Sequence, residues 1–256
     1  MLAELLELAP SGVEQVDLDE VVEYALYGAP GELPALPTLR AASGSALVQI
    51  TATEIGDDWA DRWRRFHVPL VLGDALTVRP PWEAPGSTRL DVVVDPGRAF
   101  GTGAHATTRL CLELMLELHG GGSFMDLGCG SGVLGITAAK LGFTPVIAVD
   151  NDTLALEATA ANAEANDVRL DVARVDLRHD AGPCAETVAA NLLAPLLERW
   201  ARTLSDASAP ELPSQVIASG LLDEEADAAA AQFASVGLRE HERRTLGGWA
   251  ALMLVG

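Results

Sequence analysis

The chain has 256 residues, 49% of them apolar, and a formal net charge of −20 from 37 acidic and 17 basic residues. That length accommodates one large domain, or one with a small companion, and the apolar fraction excludes a low-complexity disordered chain. The acidity argues against stable nucleic-acid binding, which leaves a basic footprint, and favours basic partners. No apolar run reaches the ~18 residues of a membrane span, and Met1-Leu2-Ala3-Glu4 has no basic n-region of a signal peptide. Cys111, Cys129 and Cys184 form no C-x-x-C pair, and the five histidines show no ligand spacing. A disulfide framework and a zinc site are therefore not expected, and a reducing cytoplasm is.

Taken in order, residues 1–55 read as a small α+β unit. Leu2 to Leu8 has a helical apolar pattern, Gly12 to Leu18 and Val21 to Leu26 alternate like short strands, and Ala46 to Thr51 is strand-like after a proline-containing stretch. Residues 56–96 read as a linker with connecting strands, among them an apolar Val68 to Val78 and a strand at Asp91 to Asp95. From residue 97 onward strands and helices alternate. Helices are expected over 107–119, 132–141, 153–166, 194–204 and 223–236. Strands are expected over 124–127, 145–150, 168–175, 186–190 and 215–219. Two last strands flank Gly247-Gly248, a hairpin signal. This alternation predicts a mostly parallel, Rossmann-like α/β sheet of seven strands with an antiparallel edge.

The strongest chemical signal is Phe124-Met125-Asp126-Leu127-Gly128-Cys129-Gly130-Ser131-Gly132 with Asp150 ending the next apolar run. A glycine turn between strand and helix lets backbone approach a ligand, and a carboxylate about 20 residues on accepts hydrogen bonds from ribose hydroxyls. A dinucleotide fingerprint needs a third glycine where this chain has Val133, and Asp126 is a poor neighbour for a pyrophosphate. The acid suits a nucleoside with a cationic end. D-x-G-x-G-x-G resembles the first motif of class I methyltransferases, which implies S-adenosylmethionine as cofactor. The alternative for Asp150 is a cap for the following helix, and both readings can hold, with Asp152 or Thr153 capping while Asp150 faces the ligand. Asp176, after the third strand, is read either as a contact to adenine or as a solvated loop acid. Asn191 ends the fourth strand and points into the crevice where open α/β sheets bind ligands, unless it caps the helix at Ala194. The chain has no N-P-P-Y or D-P-P-Y there, which disfavours methylation of planar amide nitrogens.

A second run, Phe100-Gly101-Thr102-Gly103-Ala104-His105-Ala106-Thr107-Thr108, precedes the first helix of the alternating region. With the Asp126 motif, Asn191-Leu192-Leu193-Ala194 and the upstream Asp58-Trp59-x-x-x-Trp63-Arg64, it resembles the PrmA family over about residues 57–256. Members methylate amino groups of large-subunit ribosomal protein eleven. The resemblance implies a class I methyltransferase domain over 97–256 behind a ferredoxin-like substrate-recognition domain, whose first strand has no counterpart here. It implies that Thr108, Gly128, Asp150 and Asn191 contact S-adenosylmethionine, with Asp126, Gly130 and Asp176 added from the motif reading. Phe100, Thr102 and Asn191 would border the methyl-transfer site. The expected activity is methylation of lysine side chains, with the N-terminus as a further acceptor, on a basic ribosomal protein. The alternative is a class I methyltransferase acting on another protein or a small molecule.

Overall fold

The computed structural model describes residues 13–18, 21–26, 67–96, 105–180, 182–204 and 212–256. The chain divides into two compact units, Met1–Arg62 and Trp63–Gly256. In the first, β1 (Val13–Leu18) and β2 (Val21–Leu26) pair antiparallel, from Val13 opposite Leu26 to Leu18 opposite Val21. The expected helix over 2–8 and strand over 46–51 lie outside the described residues.

The second unit begins with a three-stranded sheet of β3 (Leu70–Leu72), β4 (Leu76–Arg79) and β5 (Leu90–Val93). β3 and β4 are antiparallel, and β4 and β5 run parallel. Arg79 closes the sheet with a two-pronged bond to Asp91, Nε to Oδ1 at 2.9 Å and Nη2 to Oδ2 at 2.7 Å. Asp91 stays below the usual carboxylate range: partial burial pushes its pKa up, but the Arg79 bonds and the Gly86 amide outweigh it. The segment read as linker and connecting strands thus contributes Leu72, Leu76, Val78, Val92 and Val94 to the same core as the helices that follow.

The remaining elements are α1 (Ala106–Met115), β6 (Phe124–Leu127), α2 (Val133–Leu141), β7 (Val146–Asp150), α3 (Thr153–Ala165), β8 (Asp171–Arg174), β9 (Thr187–Asn191), α4 (Ala194–Thr203), β10 (Gln215–Leu222), α5 (Ala226–Ala234), β11 (Arg239–Leu246) and β12 (Trp249–Val255). The seven strands lie in the order β11-β12-β10-β9-β6-β7-β8. Neighbours from β10 to β8 are parallel, while β12 runs antiparallel to both β10 and β11. Strand order reverses between β6 and β9, the topological switch point where such sheets bind ligands.

Period-two alternation assigns the side chains to faces. Phe124 and Ala189 pack with α1 and α2, whereas Met125, Leu127, Val188 and Ala190 pack with α4 and α5. Some element limits differ from the sequence pattern. α5 is preceded by a 3-10 turn, Asp223–Glu225, because the Glu225 carboxylate folds back onto the Leu222 amide at 2.8 Å. β8 starts later than expected because the Val168 amide is tied to Ala163 O at the end of α3. β10 continues past Ser219 through a bulge at Gly220, whose φ is +85°. A Cβ there would stand 2.3 Å from Leu192 O, so only glycine lets the two strand ends approach.

Candidate active site

Strand β6 delivers Asp126 and the glycine turn to the switch point. The Gly128 and Cys129 amides both donate to Val149 O, at 2.8 and 2.9 Å, which ties the turn to the end of β7. Gly128 has φ +78°, and a Cβ would lie 2.4 Å from Leu192 Cδ2, so the residue after Asn191 sets how closely the turn is packed. The Gly130 amide donates to Asp150 Oδ2 at 3.0 Å, and Asp150 Oδ1 accepts from the Asp152 amide at 3.0 Å. A carboxylate has about four lone-pair positions, so Asp150 is fixed by backbone and keeps acceptor capacity. The helix cap is a different residue: Asp152 takes the Leu154 amide at 2.9 Å. The cap thus falls on Asp152, as one of the two residues expected for it, and leaves Asp150 at the glycine turn.

Asp126 sits beneath the turn at 1% exposure. Its Oδ2 accepts the Gly135 amide at 2.8 Å. That amide is one of the first-turn donors of α2, whose own N-cap is Gly132 with no side-chain cap bond. A carboxylate there satisfies an otherwise orphaned donor and complements the helix dipole. Asp126 Oδ1 is buried with no hydrogen-bond partner. Burial pushes the pKa of this carboxyl up to about 7; the Gly135 bond opposes that and the nearby Asp150 charge adds to it. A half-satisfied buried carboxylate is stable only as the acid or beside a cation.

Asn191 ends β9 and does not cap α4, whose N-cap is Leu193 without a side-chain bond. Its Nδ2 donates to Thr108 Oγ1 at 3.3 Å. Thr108 is 1% exposed, and its hydroxyl orients Asn191 at the crevice. His105 caps α1 by accepting the Thr107 amide at 3.4 Å and packs edge-on against Trp249 at 5.0 Å. Burial lowers its pKa and keeps the imidazole neutral. Asp176 is held at the surface by Arg178, with Nε to Oδ1 and Nη2 to Oδ2 both at 2.9 Å. Those bonds bring its pKa down to about 2. Its carboxylate is therefore committed to a neighbour, although its place after β8 matches the expectation. Phe100 and Thr102 lie outside the described residues. The structure brings Asp126, Gly128, Gly130, Asp150 and Asn191 together at the ends of β6, β7 and β9. The pattern reading did not single out Thr159, Asn162 and Asn166, whose signal is a polar stripe inside an alanine-rich helix.

Seven strands in this order, with one antiparallel strand inserted beside the edge and a glycine turn after the central strand, define the class I, Rossmann-like methyltransferase fold. The chain belongs to the PrmA family: the profile described as "Ribosomal protein L11 methyltransferase (PrmA)" matches residues 32–255. A ribosomal protein L11 methyltransferase of Pelotomaculum thermopropionicum is 39% identical over 214 residues, 82% of this chain and 69% of the relative. That of Chloroflexus aurantiacus is 37% identical over 232 residues, 79% of this chain and 70% of the relative. The crystal structure of a ribosomal protein L11 methylase from Lactobacillus delbrueckii subsp. bulgaricus superposes with a TM-score of 0.62 at 28% identity, covering 73% of this chain and 97% of that one. Among the described residues no helix is long and apolar enough to cross a membrane.

Proposed function

We propose that the protein transfers methyl groups from S-adenosylmethionine to amino groups of ribosomal protein L11, chiefly lysine side chains, with the N-terminal amine as a further acceptor. The observation that carries this reading is the buried, half-satisfied carboxylate of Asp126 beneath the glycine turn. S-adenosylmethionine is a nucleoside with a cationic amino-acid end and no phosphate. Its positive charge would neutralise Asp126, its ribose hydroxyls match the remaining acceptor capacity of Asp150, and the turn at Gly128 and Gly130 admits it close to backbone. A phosphate in the same place would meet two carboxylates. Asp176 marks the adenine rim and contributes least, since Arg178 occupies it.

When bound, the cofactor supplies an activated methyl group, and the chain's task is to position a neutral amine against it. Lysine has a reference pKa of ~10.4 and must lose a proton first. Water takes that proton, and Asn191 orients the neutral amine. Thr108 holds one donor of its amide, which leaves the side-chain oxygen to accept from an incoming amine and aim its lone pair. Phe100 and Thr102 belong to the same locus by family position. Most of the rate then comes from orientation and exclusion of water. A net charge of −20 favours encounter with a basic acceptor and opposes nucleic acid, and the three cysteines without a C-x-x-C pair suit a reducing cytoplasm. The domain reading goes with it: residues 1–55 recognise the acceptor, and 97–256, sharing a core with the three-stranded sheet that precedes them, carry the transfer.

The test is incubation of the protein with purified ribosomal protein L11 and methyl-labelled S-adenosylmethionine, followed by mass spectrometry of the product. Label on lysine and N-terminal amines is the expected result. Label absent from L11 but present on other proteins of an extract would overturn the acceptor, and no binding of S-adenosylhomocysteine in calorimetry would overturn the cofactor.

A further inference from the structure

Helix α3 carries a face that its composition does not lead one to expect. Thr159, Asn162 and the C-cap Asn166 are buried, at 0%, 3% and 8% exposure, on an alanine-rich helix. Steps of three and four place them on one side of the helix. Asparagine is a weak helix former, and burying its amide is costly unless each polar atom is paired. Every bond they make to neighbouring segments is accounted for, and nearly all go to backbone. Thr159 Oγ1 donates to Gly130 O at 3.0 Å and contacts Cys129 Sγ at 3.2 Å. Asn162 Nδ2 donates to Ser131 O at 2.9 Å, while its Oδ1 accepts the Asp95 amide at 3.0 Å. Asn166 Oδ1 accepts the Val93 amide at 2.9 Å and its Nδ2 donates to Val93 O at 2.6 Å.

The two asparagines do different things. Asn166 offers β5 a donor and an acceptor side by side, as a neighbouring strand would, and closes the outer edge of the three-stranded sheet. Asn162 bridges two segments with one amide: its nitrogen holds the glycine turn, and its oxygen holds the chain where it leaves β5. The orientation of that amide is forced, because a flip would set donor against the Asp95 amide and acceptor against Ser131 O. Asp95 and Pro96 lead directly into residues 97–103, the run that carries Phe100 and Thr102.

We propose that Asn162 is a positioning residue, locking the nucleoside-binding glycine turn to the exit of β5 at Asp95 during methyl transfer. The proposal takes its reaction from the function proposed above, but the mechanical link stands on the two bonds of Asn162 alone. Asn166 supports the strand without bonding the turn, its Nδ2 also donating to Asn162 O at 2.8 Å, and so provides a control for loss of the strand bond alone.

The experiment uses the full chain and three variants, Asn162→Ala, Asn162→Asp and Asn166→Ala, followed by hydrogen exchange and by kinetics. In the free protein Asn162→Ala should speed exchange of the Asp95 amide by about tenfold or more, as expected when a protecting bond is lost locally. Asn162→Asp keeps the acceptor for that amide and should leave its exchange near wild type, but it loses the donor to Ser131 O. Adding S-adenosylhomocysteine to the wild type should slow the Asp95 amide further, and neither Asn162 variant should transmit this. In assays, Asn162→Asp should raise the Kd for S-adenosylhomocysteine and also lower kcat at saturating substrates, each by roughly 3- to 30-fold, the range for a lost buried hydrogen bond. Asn166→Ala should lower kcat while leaving that Kd within about twofold. If Asn162→Ala does not fold, the isosteric Asn162→Asp carries the comparison.

An Asp95 amide equally slow in wild type and Asn162→Ala would overturn the link. So would cofactor-induced slowing that survives in Asn162→Asp, or variants that lower Tm alone with Kd and kcat per folded molecule unchanged. Wild-type protein that binds no S-adenosylhomocysteine would refute the proposed function instead, and the exchange comparison in free protein still decides whether Asn162 joins the two segments.

Discussion

The two faces of the seven-stranded sheet are packed by opposite chemistries. On the side of α4 and α5, Trp200, Phe233, Leu197 and Leu221 are fully buried in an apolar cluster, with the Trp200 and Phe233 rings 6.0 Å apart edge to face. On the side of α1, α2 and α3, apolar packing is interrupted by Thr108, Asp126, Thr159, Asn162, Asn166 and Ser219, all buried. Both faces come from the same strands, one residue out of phase. Apolar contact is non-directional and stabilises wherever area is removed from water, whereas buried polar groups hold backbone in one geometry only. Both faces bury apolar area and secure the fold, and the polar groups of one of them also fix the backbone around the glycine turn.

The comparison breaks or sharpens under substitution. The largest effect is expected from Trp200→Ala, which should lower stability by about 3–5 kcal/mol in a denaturant titration. S-adenosylhomocysteine affinity per folded molecule should be unchanged, and a large loss of that affinity would show that the faces are not separable. Asn191→Ala should reverse the pattern, lowering kcat about 10- to 100-fold, the range for losing one buried hydrogen-bonding group, with a Tm shift of no more than a few degrees in calorimetry.

Asp126 gives a pH signature. Its folded-state pKa, about 7 against an ordinary 3.8, means that the native protein keeps a proton which the unfolded chain has released. Stability should therefore fall as pH rises from about 4 to about 7, then level off. Asp126→Asn should flatten that part of the profile in chemical denaturation. A cation beside the carboxyl lowers its pKa, so S-adenosylhomocysteine should bind more tightly as pH rises over the same interval, and the Asn variant should lose this dependence. The smallest effect belongs to Asp176→Asn: its partner Arg178 is exposed and surface pairs contribute little. Calorimetry should find no resolvable change in Tm and a change in S-adenosylhomocysteine affinity of less than about threefold. A larger loss would move Asp176 from the rim into the site.

Much of the candidate site is legible in the sequence. Asp126, Gly128, Gly130 and Asp150 announce themselves by local spacing, because a turn between strand and helix is a short-range object. Asn191 is nearly as legible, since it closes an apolar strand in an alternating α/β pattern. The sequence also places the helix cap on Asp152 or Thr153, and the structure puts it on Asp152. The part played by Thr108 was beyond the pattern, for its partner Asn191 lies 83 residues away. Residues 67–96 read as connecting strands because their runs are short and carry no periodicity that points to a particular neighbour, yet they complete the core on one face.

The sequence by itself determined the order of strands and helices, the glycine turn with its two acids, and the family signature, because each depends on residues close along the chain. Only the tertiary structure decided that Asp126 Oδ1 is buried without a partner, that Gly128 and Gly220 are pressed against Leu192, and that Asn162 joins Ser131 to Asp95. These depend on burial and on hydrogen bonds across tens of residues. A side chain's cost or use there is set by what the fold places against it, not by its neighbours in sequence.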